Sequence, residues 1–206
     1  MRIQLTKPSY LVALLAFVTL ALIAGLAGAQ DRPASPPAEA STQIGDSWIT
    51  VKYSGPILRG RGGIFGEGDE FGKKVLAGGP VWRAGANATT EITSDVDLMF
   101  GETKLPAGTY RVLIDLRSPT DWHFIVTSKP AMATFKGRDA IGPELWGAYG
   151  YAGEGDDVLR APMTVQPGSM SIDQLTYFFH DVTADGGNLA IAWDTMIASV
   201  PFKIAK

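Results

Sequence analysis

Residues 79–93, read GPVWRAGANATTEIT, bring together side chains that could hold a ligand: the aromatic face of Trp82, the five-donor fork of Arg83, the amide of Asn87 and the carboxylate of Glu91. Gly85 adds backbone able to take a positive φ beside Asn87. Aromatic faces stack on sugars and other rings while Arg and Asn fix polar groups, so the segment reads as part of a pocket for a small or saccharide-like molecule. The same residue types also build a tight hydrogen-bonded corner that ends one strand and launches the next, and both readings stay open. Trp146, Tyr149 and Tyr151 could supply further stacking rings; the alternative is a loop that pins itself to the fold with them. The candidate contact set is therefore Trp82, Arg83, Asn87, Glu91, Trp146, Tyr149 and Tyr151.

Other chemistries are thinly supplied. The chain has two histidines, His123 and His180, and no cysteine, too few soft ligands for a closed zinc site. The tetrapeptide GEGD occurs at residues 66–69 and 153–156, and with Glu70 and Asp157 it makes two acidic turns that match no full calcium loop. No metal or cofactor is expected. A hydrolase-type site could use Glu91, Asp181 or His180 with Arg83 as electrostatic stabiliser, provided one pocket joined them, but no Gly-x-Ser-x-Gly elbow is present. Gly60-Arg61-Gly62-Gly63 lacks the third glycine of a dinucleotide cradle and reads as a basic loop.

The elements that must position these residues are strands. Alternation of period two marks residues 47–53, 92–100, 110–115, 122–127, 158–165, 175–179, 188–193 and 200–204, separated by turns such as Pro106-Ala107-Gly108, Gln166-Pro167-Gly168 and Asp185-Gly186-Gly187. Short strands without helix-length patterns between them argue an all-β fold: an antiparallel β-sandwich, with a jelly roll or a barrel as alternatives. Residues 58–76 and 129–155 show no steady period and are expected as two long irregular loops.

Ahead of the strands, Arg2 and Lys7 precede an apolar run from Tyr10 to Leu26, and Ala27-Gly28-Ala29 has the form of a cleavage site. Residues 1–29 therefore read as a signal peptide of an exported, periplasmic or secreted protein, a retained N-terminal membrane anchor being the alternative. Residues 30–45, rich in Pro, Ala, Ser and Gln, read as a disordered linker, and 46–206 as one β domain. Without Arg2 and Lys7 the chain keeps 16 basic residues against 21 acidic ones, five net negative charges, and no basic cluster that would argue for nucleic acid.

VWRAGANATTEIT at 81–93, KLPAGTYRVLI at 104–114, WGAYGY at 146–151, DVLRAPM at 157–163 and LAIAWDTMIASVPFKI at 189–204 resemble, in that order, the domain-of-unknown-function family 2911. The resemblance implies a secreted or envelope protein of bacteria and brings no activity with it. Its signature falls on Val81, Trp82, Arg83, Gly85, Ala86, Asn87 and Thr89 or Thr90, with Ala88 where a Glu is common and the acid displaced to Glu91. Mass spectrometry of exported protein should find Gln30 as the first residue; Met1 on a membrane-bound chain would contradict cleavage.

Overall fold

The computed structural model describes residues 32–135, 137 and 142–206; the signal-peptide reading of 1–29 lies outside them. The strands are β1 (Pro37–Ile44), β2 (Ser47–Ser54), β3 (Glu91–Ser94), β4 (Leu98–Phe100), β5 (Thr103–Leu105), β6 (Gly108–Ser118), β7 (Asp121–Thr127), β8 (Asp157–Thr183) and β9 (Gly186–Ile204). They form one nine-stranded sheet in the order β1-β2-β3-β6-β7-β8-β9-β4-β5, antiparallel throughout and not closed into a barrel. The all-β, antiparallel expectation holds; the strands make one continuous sheet, and the barrel alternative is not realised.

β8 makes this possible. Its first residues, Asp157 to Met163, pair with β7, whereas Thr164 to Thr183 pair with β9. One strand thus serves both parts of the sheet, and inward side chains from both parts share one core: Ile49, Val51, Ile92, Ile114 and Phe124 from one, Leu189, Ile191, Val200 and Phe202 from the other. The expected turn at Gln166-Pro167-Gly168 is instead a register irregularity inside β8, between Pro167 and Ile172. A bulge absorbs the proline, which cannot donate to a ladder.

The expected linker is shorter than residues 30–45, because Pro37–Ile44 is β1. Its eight residues run in register with β2, from Pro37 opposite Ser54 to Ile44 opposite Ser47. Ala40 and Ile44 reach the core while Glu39 and Ser41 face out. Backbone pairing to a neighbour supplies what this aliphatic-poor sequence cannot supply by side-chain burial alone.

Beyond β2, the irregular stretch around 58–76 contains a turn of 3-10 helix at Gly68–Glu70 and one helical turn, α1 (Lys73–Leu76). Ile64 and Phe65 anchor it in the core, and the Ile64 amide donates to the Asp194 carboxylate at 3.0 Å. On the outer face of β6 and β7, Leu113 and Ile125 meet Val81, Leu145, Ala148 and Tyr151 in a second cluster.

Residues 81–90 are the hinge between the two clusters. Val81 belongs to the outer one and Trp82 to the main core, as alternation in extended backbone requires. The Trp82 amide donates to the Ile114 carbonyl at 2.8 Å and the Ile114 amide to the Trp82 carbonyl at 2.9 Å, so Trp82 occupies a place on the edge of β6 beyond β3. A sharp corner follows, with positive φ at Ala84 (49°) and Asn87 (57°) and not at Gly85. Gly85 is needed for a different reason. A Cβ there would lie 2.6 Å from Thr90 Oγ1, and that hydroxyl donates to the Ala84 carbonyl at 3.1 Å. The Tyr177 hydroxyl donates to the same carbonyl at 3.0 Å. Gly85→Ala must displace a buried, hydrogen-bonded threonine and is expected to cost about 1–3 kcal/mol, the usual range for overpacking. Urea denaturation measures it; an unchanged midpoint would contradict the close approach.

Candidate functional site

Trp82 stacks on Trp193 with ring centroids 6.3 Å apart and an interplanar angle of 10°, while Phe65 meets Trp82 edge-on at 5.4 Å. Trp122 completes the group, 5.1 Å from Phe65 and 6.0 Å from Trp82. Large aromatics packed this way are rigid, with each favourable pair contributing about 0.5–1.5 kcal/mol beyond its burial. On this support sits a cleft of about 350 Å³, lined among others by Trp82, Trp193, Ile64 and Val75, with Arg61, Lys74, Arg83, Asn87 and Ser35 as its polar groups.

Arg83 follows Trp82, so it emerges toward the outer loop. Its guanidinium lies 5.4 Å from the centroid of the Tyr149 ring, within cation–π range. Gly147 makes room for it: a Cβ at that glycine, whose φ is +59°, would lie 2.8 Å from Arg83 Nε. The loop is held in place by Thr89, whose hydroxyl accepts from the Gly147 amide at 2.8 Å, and by the Tyr149 hydroxyl, which donates to the Ala77 carbonyl at 2.8 Å. Asn87 is exposed at the same corner, its amide donating to the Ser35 carbonyl at 3.4 Å.

The candidate contact set is thus divided. Trp82, Arg83 and Asn87 line the cleft. Tyr149 lies against Arg83 and positions it. Trp146 stacks on Phe135 at 5.4 Å, away from the cleft lining. Tyr151 is buried in a polar network, its hydroxyl donating to Asp157 and accepting from Arg160, both at 2.6 Å, and burial is the first reason its phenol is pushed well above its usual range, the Asp157 carboxylate the second. Glu91 lies across the β3–β6 register from Arg111, with Arg111 Nη1 2.9 Å from its carboxylate, and lines a separate hollow of about 180 Å³ with Lys52 and Tyr53. An ion pair between Arg83 and Glu91 is therefore not formed, because register places Arg111 beside Glu91.

The hydrolase grouping is also dispersed. His180 and Asp181 pair with each other at 2.8 Å near the end of β8, and neither they nor Glu91 line the cleft. His123 sits on β7 3.5 Å from Asp121. The acidic turns face cations of their own: Glu70 meets Lys73 at 2.7 Å, and Asp157 meets Arg160 at 2.7 Å. Among the described residues no group of three or more His, Asp or Glu side chains gathers as a metal site would require.

Two cleft cations, Arg61 and Lys74, were not in the sequence-derived set. Arg61 comes from the basic loop, where its Nε and Nη2 donate to the Leu58 and Ile57 carbonyls, each at 2.9 Å. The available signal was the concentration of cations, at Arg59, Arg61, Lys73, Lys74 and Arg83, in the irregular part of the chain. Trp193 lies more than a hundred residues from Trp82 in sequence, and only the β8–β9 fold brings them together.

These features define the class: an all-β domain with a small polar cleft at a signature-bearing corner. Residues 35–202 match the family model described as protein of unknown function (DUF2911), and the chain belongs to that family. Neither a search of curated proteins nor one of solved structures gave a match.

Asp156 anchors the far end of the outer loop. It accepts from the Ala152 amide at 2.7 Å and from Lys129 Nζ at 3.1 Å, and these contacts, the amide first, hold its carboxyl below the usual range. A depressed folded-state pKa gives stability that is present above the unfolded value and disappears as pH falls through the folded one. Asp156→Asn should therefore lower stability at pH 7 and narrow its gap to wild type once pH drops below about 4. Urea midpoints measured from pH 7 to pH 3 test this; a gap that stayed constant would contradict it.

Proposed function

We propose that this is an exported binding domain whose cleft at Arg83 and Asn87 takes a small or saccharide-like molecule. The observation that carries the reading is that Arg83 and Asn87, adjacent to a rigid aromatic support, both line one concavity of about 350 Å³. A corner built only for structure would bury both in backbone hydrogen bonds; instead Asn87 is exposed and Arg83 half-buried. The locking contacts of the corner, from Thr90 and Tyr177 to the Ala84 carbonyl, support the same reading by fixing the backbone from which both side chains project. Export, to the periplasm or beyond, is supported by the apolar leader with its small-residue boundary.

The alternative of an envelope hydrolase loses support, since Glu91, His180 and Asp181 stand apart from Arg83 and from the cleft lining. The alternative of a purely structural module is favoured by one feature, the conformational lock around Gly85, but that lock leaves Arg83 without a carboxylate partner among the described residues.

Thermal-shift titration against a panel of sugars, sugar acids and sugar phosphates tests the proposal. A ligand at about 100 times its Kd should raise the Tm by about 5 °C or more. The doubly substituted Arg83→Gln, Asn87→Ala protein should fold with a loss of about 1 kcal/mol, the scale of a cation–π contact, and show no shift. Shifts that persist undiminished in it would contradict the assignment to this cleft.

A further inference from the structure

We propose that the occupant of this cleft is anionic, a small molecule that presents a carboxylate or phosphate group to Arg61, Lys74 and Arg83. The proposal rests on the reading of the cleft as a ligand site and adds the chemistry of what enters it. All three cations line the cleft, and no Asp or Glu does. Many cations elsewhere on the domain are matched with acids, among them Lys52 with Glu39, Lys104 with Asp97, Lys129 with Asp156 and Arg111 with Glu91, though Lys203 meets no carboxylate among the described residues. Lys73 takes Glu70 at 2.7 Å, while its neighbour Lys74 meets no carboxylate among the described residues. Arg61 spends Nε and Nη2 on carbonyls and keeps Nη1 for another acceptor.

Three unmatched cations converging on one concavity are costly by mutual repulsion, and they are unexpected in a chain with 21 acidic residues against 18 basic. An anion removes that cost. The chain's overall negative charge does not oppose it at contact range, because fields from charges beyond about 8 Å are largely screened at physiological salt. The competing occupant, a neutral sugar, would need an open aromatic face on which to stack. Trp82 and Trp193 are 2% and 6% exposed, so they form a wall with little face to offer.

Isothermal titration of the full-length protein with glucuronate, glucose 6-phosphate, glucose and inorganic phosphate tests this. At least one of the two charged sugars should bind about tenfold or more tightly than glucose, the scale of one charge-assisted hydrogen bond. Which of the two binds distinguishes carboxylate from phosphate. Arg83→Gln and Lys74→Gln should each weaken that binding about tenfold, raising NaCl should weaken it further, and Lys203→Gln, outside the cleft, should leave it unchanged. Lys74 is exposed, so its variant keeps the test valid even if Arg83→Gln folds poorly. Glucose binding as tightly as both charged sugars would overturn the anion proposal and keep the cleft reading. Inorganic phosphate binding as tightly as glucose 6-phosphate would overturn the saccharide-like reading beneath the proposal and keep the anion. Binding that neither cleft variant alters would overturn the placement, and no binding by any of the four would overturn both the proposal and the reading beneath it.

Discussion

The reciprocal backbone pairing of Trp82 with Ile114 is the constraint on which the cleft depends. Two hydrogen bonds fix the chain at the edge of β6, and alternation then decides the rest: Val81 outward into the cluster under the loop, Trp82 inward among Phe65, Trp122 and Trp193, Arg83 outward again. A polar side chain two residues beyond a fixed apolar one has no freedom to choose its face. What it meets there was arranged by other parts of the chain, the Tyr149 ring under the guanidinium and a glycine at 147 that leaves the guanidinium its space.

The corner shows how a short motif divides its labour. Thr90 and Tyr177 both donate to the Ala84 carbonyl and hold the turn from within, while Thr89 accepts from the outer loop at Gly147. Adjacent threonines in extended backbone point to opposite sides, so one pair of residues fastens the corner to the core and the loop to the corner. The positive φ values fall on Ala84 and Asn87. These are costly places for residues with a Cβ, and the hydrogen bonds to the Ala84 carbonyl are what hold the chain in them.

Strand identities were legible because residues on one-sided strands alternate visibly: Ile49, Val51 and Tyr53 against Trp48, Thr50 and Lys52 predict β2 directly. β1 was not legible. Its inward residues, Ala40 and Ile44, are sparse, and its place is secured by backbone pairing to β2, which leaves no trace in side-chain pattern. The path of β8 was hidden for a related reason: a proline and a glycine at 167–168 read as a turn, while the bulge that accommodates them is set by β9. Of the cleft lining, Trp82, Arg83 and Asn87 stand out in sequence by their local chemistry, whereas Tyr149 lies against Arg83 and outside the lining. Arg61, Lys74 and Trp193 reach the cleft through long-range folding, and Glu91 was lost to Arg111 through register.

A small anion entering the cleft beside Trp82 and Trp193 would change the surroundings of both indoles. Indole N–H resonances of the five tryptophans provide a direct reading, because Trp82 and Trp193 line the cleft whereas Trp48 and Trp146 do not. During titration with glucuronate or glucose 6-phosphate, saturable shifts are expected at Trp82 and Trp193, with Trp48 and Trp146 unmoved. Saturable shifts at Trp146 with Trp82 and Trp193 stationary would contradict entry into the cleft and place binding on the outer loop instead.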